Sequence, residues 1–88
     1  MSIDKLRSSE CIILFNSVHR IIKAEKVLKE LKLNVRLIPL PRSLSSDCGF
    51  ALMTALEELG RIKEVLESKK IKIYQIYVKR GEEYILHV

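Results

Sequence analysis

Residues 10–16, Glu-Cys-Ile-Ile-Leu-Phe-Asn, form a short apolar run with a polar residue at each end. Isoleucine and phenylalanine favour strands, and a run of this length that is apolar at successive positions is typical of a strand without a solvent-exposed face. The run therefore predicts the central strand of a sheet.

Two stretches of helical periodicity follow this strand. Ser17 is a favourable N-cap, and the residues after it predict a first helix over 18–31. The apolar positions of this helix are Val18, Ile21, Ile22, Val27, Leu28 and Leu31. Thr54-Ala55-Leu56-Glu57 has the spacing of a capping box and predicts a second helix that starts after Thr54 and ends near Lys69. The apolar stripe of the second helix is Leu56, Leu59, Ile62, Val65 and Leu66.

Four further segments favour strands. Residues 34–40 predict a second strand that lies at a sheet edge or ends at Pro39, because proline cannot donate a hydrogen bond to a neighbouring strand. Residues 49–53 predict a third strand, with a helix as the alternative for this segment. Residues 71–78 predict a fourth strand, and residues 84–88 return as a short hairpin partner after a turn.

The order of these elements, βαββαβ with one appended strand, predicts an α+β fold: a ferredoxin-like two-layer sandwich with an extra C-terminal β-hairpin strand. With 88 residues the chain is long enough for one modest core. Residues 9–88 are therefore predicted as a single domain and residues 1–8 as a flexible N-terminal segment. Met1–Ser8 has neither the apolar run of a signal peptide nor the length of a membrane span, which predicts a cytoplasmic protein.

The connection between the second and third strands, Pro41-Arg42-Ser43-Leu44-Ser45-Ser46-Asp47-Cys48-Gly49, places a thiol in a polar and basic loop. A cysteine is a nucleophile only as its thiolate, which a nearby arginine favours, so Arg42 is predicted to stabilise the anionic form of Cys48. Gly49 permits close approach of another molecule's backbone. The hydroxyl groups that could hydrogen-bond a thiolate are those of Ser43, Ser45 and Ser46.

Two features weigh against activation of this thiol. The carboxylate of Asp47 disfavours an adjacent thiolate, and the predicted fold places the loop at the opposite end of the sheet from the helix N-termini. No helix dipole would then act on Cys48. If a helix began near Ser46 instead, its positive N-terminus would favour the thiolate. The alternative to a reactive site is an ordinary Pro-Ser-Gly turn.

The other residues with chemical potential are predicted to be structural. Cys11 lies within the first apolar run and is predicted as a small core residue, so a disulfide with Cys48 is not expected. His19 and His87 are far apart in sequence, and a metal site with so few ligands is not expected either. His19 is predicted to face water, and no organic cofactor is predicted.

The formal net charge of +5 suits an acidic partner. Much of this charge is dispersed on the first helix, where lysines and glutamates interleave as on an ordinary solvated helix face.

RNA-recognition domains share the predicted fold, and Gly49-Phe50-Ala51 matches part of their third-strand motif. Cys48 and Leu52 stand where that motif has a basic and an aromatic residue, and Leu14 occupies the aromatic position of the first strand. Nucleic-acid binding is therefore not favoured.

Five short motifs stand out between the first strand and the third. They are Phe15 followed by Ser17 and His19, Ala24-Glu25-Lys26, Val35-Arg36-Leu37-Ile38-Pro39, Pro41-Arg42 and Ser45-Ser46-Asp47-Cys48-Gly49. Through these motifs the chain resembles, from about Cys11 to Tyr77, the selenium/sulfur carrier protein-like domains. It departs from their pattern at Thr54-Ala55-Leu56-Glu57, where a proline-containing start of the second helix is usual, and in the C-terminal hairpin.

The resemblance implies a carrier that holds sulfur or selenium on Cys48 as a persulfide or selenosulfide and passes it on, without being a stand-alone enzyme. Its partners would be a donor protein similar to a cysteine desulfurase and an acceptor protein, and it would need no cofactor or metal. Two alternatives stay open. One is a non-catalytic interaction or regulatory module, for example a homodimer joined through the edge strand at 35–38 or through the C-terminal hairpin, in which the loop only recognises a partner. The other, less favoured, is an RNA-binding domain.

Overall fold

The computed structural model describes residues 9–44 and 49–87, which form five strands, two α-helices and one short 3₁₀ helix. In chain order the elements are β1 (Glu10–Leu14), α1 (Val18–Glu30), β2 (Val35–Pro39), β3 (Phe50–Ala55), the 3₁₀ helix (Leu56–Glu58), α2 (Leu59–Ser68), β4 (Gln75–Arg80) and β5 (Glu83–Leu86). The segment 1–8, predicted to be flexible, and the predicted domain end at Val88 lie outside the described residues.

β1 lies at the centre of an antiparallel sheet whose strand order is β2-β3-β1-β4-β5. It pairs with β3 on one side and β4 on the other, so Ile13 lies opposite both Leu52 and Ile76. This sheet and its two helices confirm the predicted α+β class and the ferredoxin-like arrangement with an extra C-terminal strand. β2 is an edge strand of the sheet, as Pro39 predicts.

Apolar side chains cover both faces of β1, which explains why its sequence does not alternate between apolar and polar residues. On one face, Cys11 and Ile13 belong to the main core, which also contains residues of both helices. On the other face, Ile12 and Leu14 belong to a smaller apolar cluster that we call the second cluster. The other members of the second cluster are Ala51, Ile38, Leu40, Leu44, Met53, Tyr77 and Tyr84.

The ends of α1 are built from capping interactions that its sequence supplies. At the start, the Ser17 side chain accepts a hydrogen bond from the backbone N–H of Arg20 at 3.2 Å, as predicted for an N-cap. At the end, Lys32 adopts a left-handed conformation with φ of 62°. The backbone N–H groups of Lys32 and Leu33 then donate to the carbonyls of Lys29 at 2.9 Å and Leu28 at 3.0 Å, respectively, which is the Schellman motif.

Replacing Lys32 with glycine is expected to raise the free energy of unfolding by about 0.5–1 kcal/mol, because a left-handed conformation is strained for residues with a Cβ atom. The gain is smaller than the strain itself, since glycine also increases the entropy of the unfolded chain. Urea unfolding should show a higher midpoint with an unchanged slope. The matched control Lys26→Gly, at an exposed position inside α1, should instead lose about 1 kcal/mol. A lower midpoint for Lys32→Gly would contradict this account.

The region after β3 differs from the sequence-based prediction. Residues 49–53 are largely strand, as favoured, but β3 continues to Ala55 and α2 begins only at Leu59. Thr54 is not a helix cap: it is buried in β3, and its hydroxyl donates to the carbonyl of Asn34 at 2.7 Å. The capping-box prediction was wrong because Thr54 pairs with strands on both sides, opposite Cys11 and Val35.

The predicted fourth strand also starts later than expected. Residues 71–74 form a connection rather than a strand, and β4 covers Gln75–Arg80. The connection is held to the sheet where the backbone N–H of Tyr74 donates to the carbonyl of Leu14 at 2.8 Å.

Among the described residues, no helix has the length and apolar character that crossing a bilayer requires.

Candidate functional site

The connection between β2 and β3 starts from a closed base. Pro39 lies opposite Phe50 in the sheet, and the backbone N–H of Leu40 donates to the carbonyl of Gly49 at 2.9 Å. The first part of the loop is a turn, since the N–H of Leu44 donates to the carbonyl of Pro41 at 3.0 Å. The loop is therefore a hairpin connection whose two ends are held by the sheet.

Arg42 and Ser43 lie at the exposed corner of this turn. Leu44, at the end of the turn, packs against the second cluster and anchors this half of the loop to the sheet. The turn therefore directs the guanidinium of Arg42 and the hydroxyl of Ser43 to solvent. The remaining predicted site residues, namely Ser45, Ser46, Cys48 and its neighbour Asp47, lie outside the described residues.

Gly49 is not demanded by the packing of this chain. A Cβ atom at this position would meet the Cδ2 atom of Leu40 at 3.9 Å, an ordinary van der Waals contact, and the backbone of Gly49 is not left-handed. Glycine at this position therefore neither relieves strain nor avoids a clash within the chain, and its part in letting another molecule come close stays a prediction.

The position of the loop relative to α1 corrects the sequence-based prediction. β1 and β2 are both antiparallel to β3, so they run in the same direction. α1 begins directly after β1 and the loop directly after β2, so both lie at the same end of the sheet. Only α2, which follows β3, begins at the opposite end. The expectation that the loop lies far from the helix N-termini was therefore wrong for α1.

A cavity of about 400 Å³ occupies this end of the sheet between α1 and the loop. Leu44 and Gly49 line it from the two described flanks of the loop, and Ser17 and Val18 line it from the start of α1. The positive end of the α1 dipole therefore faces the same cavity as the loop flanks, and a helix N-terminus favours a nearby negative charge. No acidic residue lies in the first turn of α1 to neutralise this effect.

Aromatic rings form a further part of the cavity wall. Phe50 and Tyr74 line it while remaining about half exposed, at 52% and 56%, and Phe15 lines it from the end of β1. Its polar side chains include those of Asn16 and Gln75. Sequence reasoning missed this cavity, although the signal was present: Phe15 and Phe50 lie at the ends of two neighbouring strands that meet at one end of the sheet. The cavity volume is in the range of small-molecule sites.

Cys11 has the opposite environment to an accessible thiol. It has no exposed surface, and it lies between Thr54 and Val78 of the flanking strands. Burial raises the pKa of the Cys11 thiol above its ordinary value, because desolvation disfavours the thiolate. Cys11 is therefore an unreactive core residue, as predicted.

The histidines do not assemble a site with other described residues. His19 lies exposed in the first turn of α1, and His87 follows β5, where its backbone N–H donates to the carbonyl of Ile76 at 2.7 Å. Within residues 9–44 and 49–87, no group of three His, Cys, Asp or Glu residues is arranged to hold a metal ion.

One comparison with known proteins gives a match. The family described as "Putative Se/S carrier protein-like" matches residues 10–78, from the first residue of β1 into β4. The matched range includes both helices and the whole β2–β3 connection. No curated protein and no solved structure matches the chain.

Proposed function

Because the chain belongs to the Se/S carrier protein-like family, we propose that it accepts sulfur or selenium on the thiol of Cys48 and passes the atom to a second protein. The observation that supports this assignment most directly is that the family match spans the β2–β3 connection, which contains the cysteine. The chain acts as a carrier between a donor similar to a cysteine desulfurase and an acceptor, in the cytoplasm, where a reducing environment keeps the resting thiol free.

The transfer needs no external oxidant or reductant. The thiolate of Cys48 attacks the outer sulfur of a persulfide on the donor, so that a bond from the Cys48 sulfur forms as the donor's sulfur–sulfur bond breaks. The donor cysteine leaves as a thiolate, and the proton of the persulfide stays with the transferred sulfur. A nucleophile of the acceptor then attacks this outer sulfur and releases Cys48 as a thiolate.

Three features of the described residues support this chemistry. Arg42 lies exposed at the corner of the turn, where a permanent positive charge favours a nearby anion. The N-terminus of α1 faces the cavity that the loop flanks line. Gly49 has no side chain to obstruct the partner's backbone. In addition, we assign to Ser45 and Ser46, which lie outside the described residues, hydrogen bonds to the Cys48 thiolate.

The proposal is tested by incubating the reduced protein with a cysteine desulfurase and cysteine and recording its intact mass. We expect a gain of one sulfur atom that dithiothreitol removes, and peptide mapping should locate it on Cys48. A mass that stays unchanged while the desulfurase itself is persulfidated would reject the carrier function. That result would favour the interaction-module alternative.

Replacing Arg42 with glutamine is expected to slow alkylation of Cys48 by iodoacetamide at neutral pH by about 1.5- to 5-fold. The reason is that an exposed charge pair is worth roughly 0.2–1 kcal/mol, and alkylation follows the thiolate population. The difference between the parent and Arg42→Gln should shrink when salt is raised, because salt screens exposed charges.

Arg36→Gln is the matched control for this measurement. Arg36 is also an exposed arginine, but it lies opposite Met53 in the sheet, away from the loop, so its replacement should leave the alkylation rate of Cys48 unchanged. Equal rates for the parent and Arg42→Gln would show that Arg42 has no part in activating the thiol.

A further inference from the structure

A groove of about 560 Å³ lies beside the C-terminal end of α2, apart from the cavity at the loop. Its lining residues include Leu66, which is fully buried, and Ile71, which is 5% exposed. Ile73 is half-buried and lines the groove from the connection that leads to β4. The groove therefore has an apolar floor made by the end of α2 and the segment that follows it.

The groove exists because the chain reverses sharply after α2. Lys70 is left-handed, with φ of 61°, and the backbone N–H of Ile71 donates to the carbonyl of Leu66 at 2.9 Å. This second Schellman motif turns the chain at the end of the helix. As a result, Lys63 within α2 and Lys72 beyond it line one common groove.

The rim of the groove has an excess of positive charge. Lys63, Lys70 and Lys72 line it with a single carboxylate, that of Glu67, which gives a formal net charge of +2. All three lysines are exposed. The ion pair that the described part of the chain shows within 4.0 Å joins Lys29 and Glu25, so it does not involve the lysines of the groove.

The dipole of α2 does not account for this arrangement. A helix C-terminus favours positive charge within its last turn, which would explain a lysine next to Ser68. Lys63 lies earlier in the helix, and Lys72 lies beyond its end. Their presence around an apolar floor is instead the pattern that complements an acidic amphipathic surface.

We infer that this groove docks an acidic amphipathic segment of a partner protein, whose apolar side chains contact Ile73 and whose carboxylates pair with the three lysines. A protein segment is favoured over RNA because the residues known to line the groove include no aromatic ring on which a base could stack.

The groove lies close to the loop, because Tyr74, the residue after Ile73, lines the cavity at the loop. A segment seated in the groove therefore brings its protein next to the loop. This docking goes beyond the carrier function and does not require Cys48.

The test uses a fluorescein-labelled synthetic helical peptide with leucine at positions i, i+3, i+4 and i+7 and glutamate at most others, monitored by fluorescence anisotropy. A second peptide has lysine in place of every glutamate. The parent protein should bind the acidic peptide and not the basic one. The triple variant Lys63→Glu, Lys70→Glu and Lys72→Glu should lose affinity for the acidic peptide by about tenfold or more, because three attractive charge pairs become repulsive.

The matched control is the triple variant Lys23→Glu, Lys26→Glu and Lys32→Glu. It has the same change in net charge, and Lys32 occupies at the end of α1 the same left-handed position that Lys70 occupies after α2. This control should retain most of the parent's affinity for the acidic peptide. Circular dichroism and urea midpoints establish that both triple variants are folded.

Several outcomes would overturn the inference. The first is that the acidic and basic peptides bind equally well. The second is that the two triple variants lose the same amount of affinity for the acidic peptide. The third is that excess unlabelled acidic peptide fails to displace the labelled peptide. Binding of a single-stranded oligouridylate that the groove variant alone loses, without peptide binding, would assign the surface to RNA. A change of self-association in the groove variant alone, by sedimentation, would assign it to a second copy. Cys48→Ser should bind the peptide like the parent, which separates docking from sulfur transfer.

Discussion

Cys48→Ser is expected to lose sulfur acceptance from a persulfidated desulfurase down to the background of the assay. Serine offers a hydroxyl that is not ionised at neutral pH and is a far weaker nucleophile than a thiolate, so no bond to the donor's outer sulfur can form. Because the change replaces a single sulfur atom by oxygen, the free energy of unfolding should change by less than about 0.5 kcal/mol.

Cys11→Ala is the matched control for this loss. It removes the buried thiol and leaves Cys48, so it should accept sulfur at the parent rate even though truncating a core residue lowers stability. Transfer of radiolabelled sulfur from cysteine, followed over time in the parent, Cys48→Ser and Cys11→Ala, measures the rate of sulfur acceptance by each protein. Retention of acceptance in Cys48→Ser, or its loss only in Cys11→Ala, would place the carrying atom elsewhere and reject our assignment.

Cys11 is expected to react with iodoacetamide at least about 10³-fold more slowly in the folded protein than in the unfolded chain. Its side chain has no exposed surface, and its strand is the centre of the sheet. Reagent can reach it only when β1 separates from β3 and β4, which for a central strand approaches global unfolding. Even the lower end of typical domain stability, about 5 kcal/mol, makes that opening rarer than one in 10³.

The measurement labels the native protein with isotopically light reagent and, after urea unfolding, with heavy reagent. The ratio at each cysteine, read by mass spectrometry, should show Cys11 almost entirely heavy. Denaturant should remove its protection along the same transition that circular dichroism reports. Rapid labelling of Cys11 in native buffer would show that the core opens around β1 and that this thiol competes with Cys48.

The architecture explains how a small chain can present a loop without building a deep active site. The hydrogen bond between Leu40 and Gly49 closes the base of the connection, and Leu44 fixes its first half to the second cluster. The polar corner at Arg42 stays in solvent. The transfer proposed above needs a site that two different proteins can reach, and a connection whose described corner faces solvent on a rigid sheet suits that task better than an enclosed pocket.

Most of the element order was predictable because it rests on local pattern. The apolar run at 10–16 identified the central strand, and the period of Ile21, Leu28 and their neighbours identified α1. Ser17 indicated the correct start of that helix. These signals are local because strand burial and helix capping involve residues close together in sequence.

The errors arose where distant segments compete for the same residue. Thr54 has the local spacing of a cap, yet its backbone pairs with two strands and its hydroxyl donates to Asn34. The end of the sheet at which the loop lies was also misjudged, although the predicted order of elements contained the answer. Two antiparallel steps, from β1 to β3 and from β3 to β2, return the chain to its original direction.

The sequence by itself determined the α+β class and the core position of Cys11, and it predicted the loop with Cys48 as the site. Apolar periodicity, turn residues and a cysteine among serines and an arginine are properties of short segments, which is why they can be read locally. Only the tertiary structure decided what surrounds that loop. The start of α1, Phe50 and Tyr74 are distant in sequence but line one cavity. Lys63 and Lys72 are separated by a chain reversal but line one groove. Strand pairing and the turn after α2 create these neighbourhoods, and the hydrophobic burial that drives both acts on the folded chain as a whole.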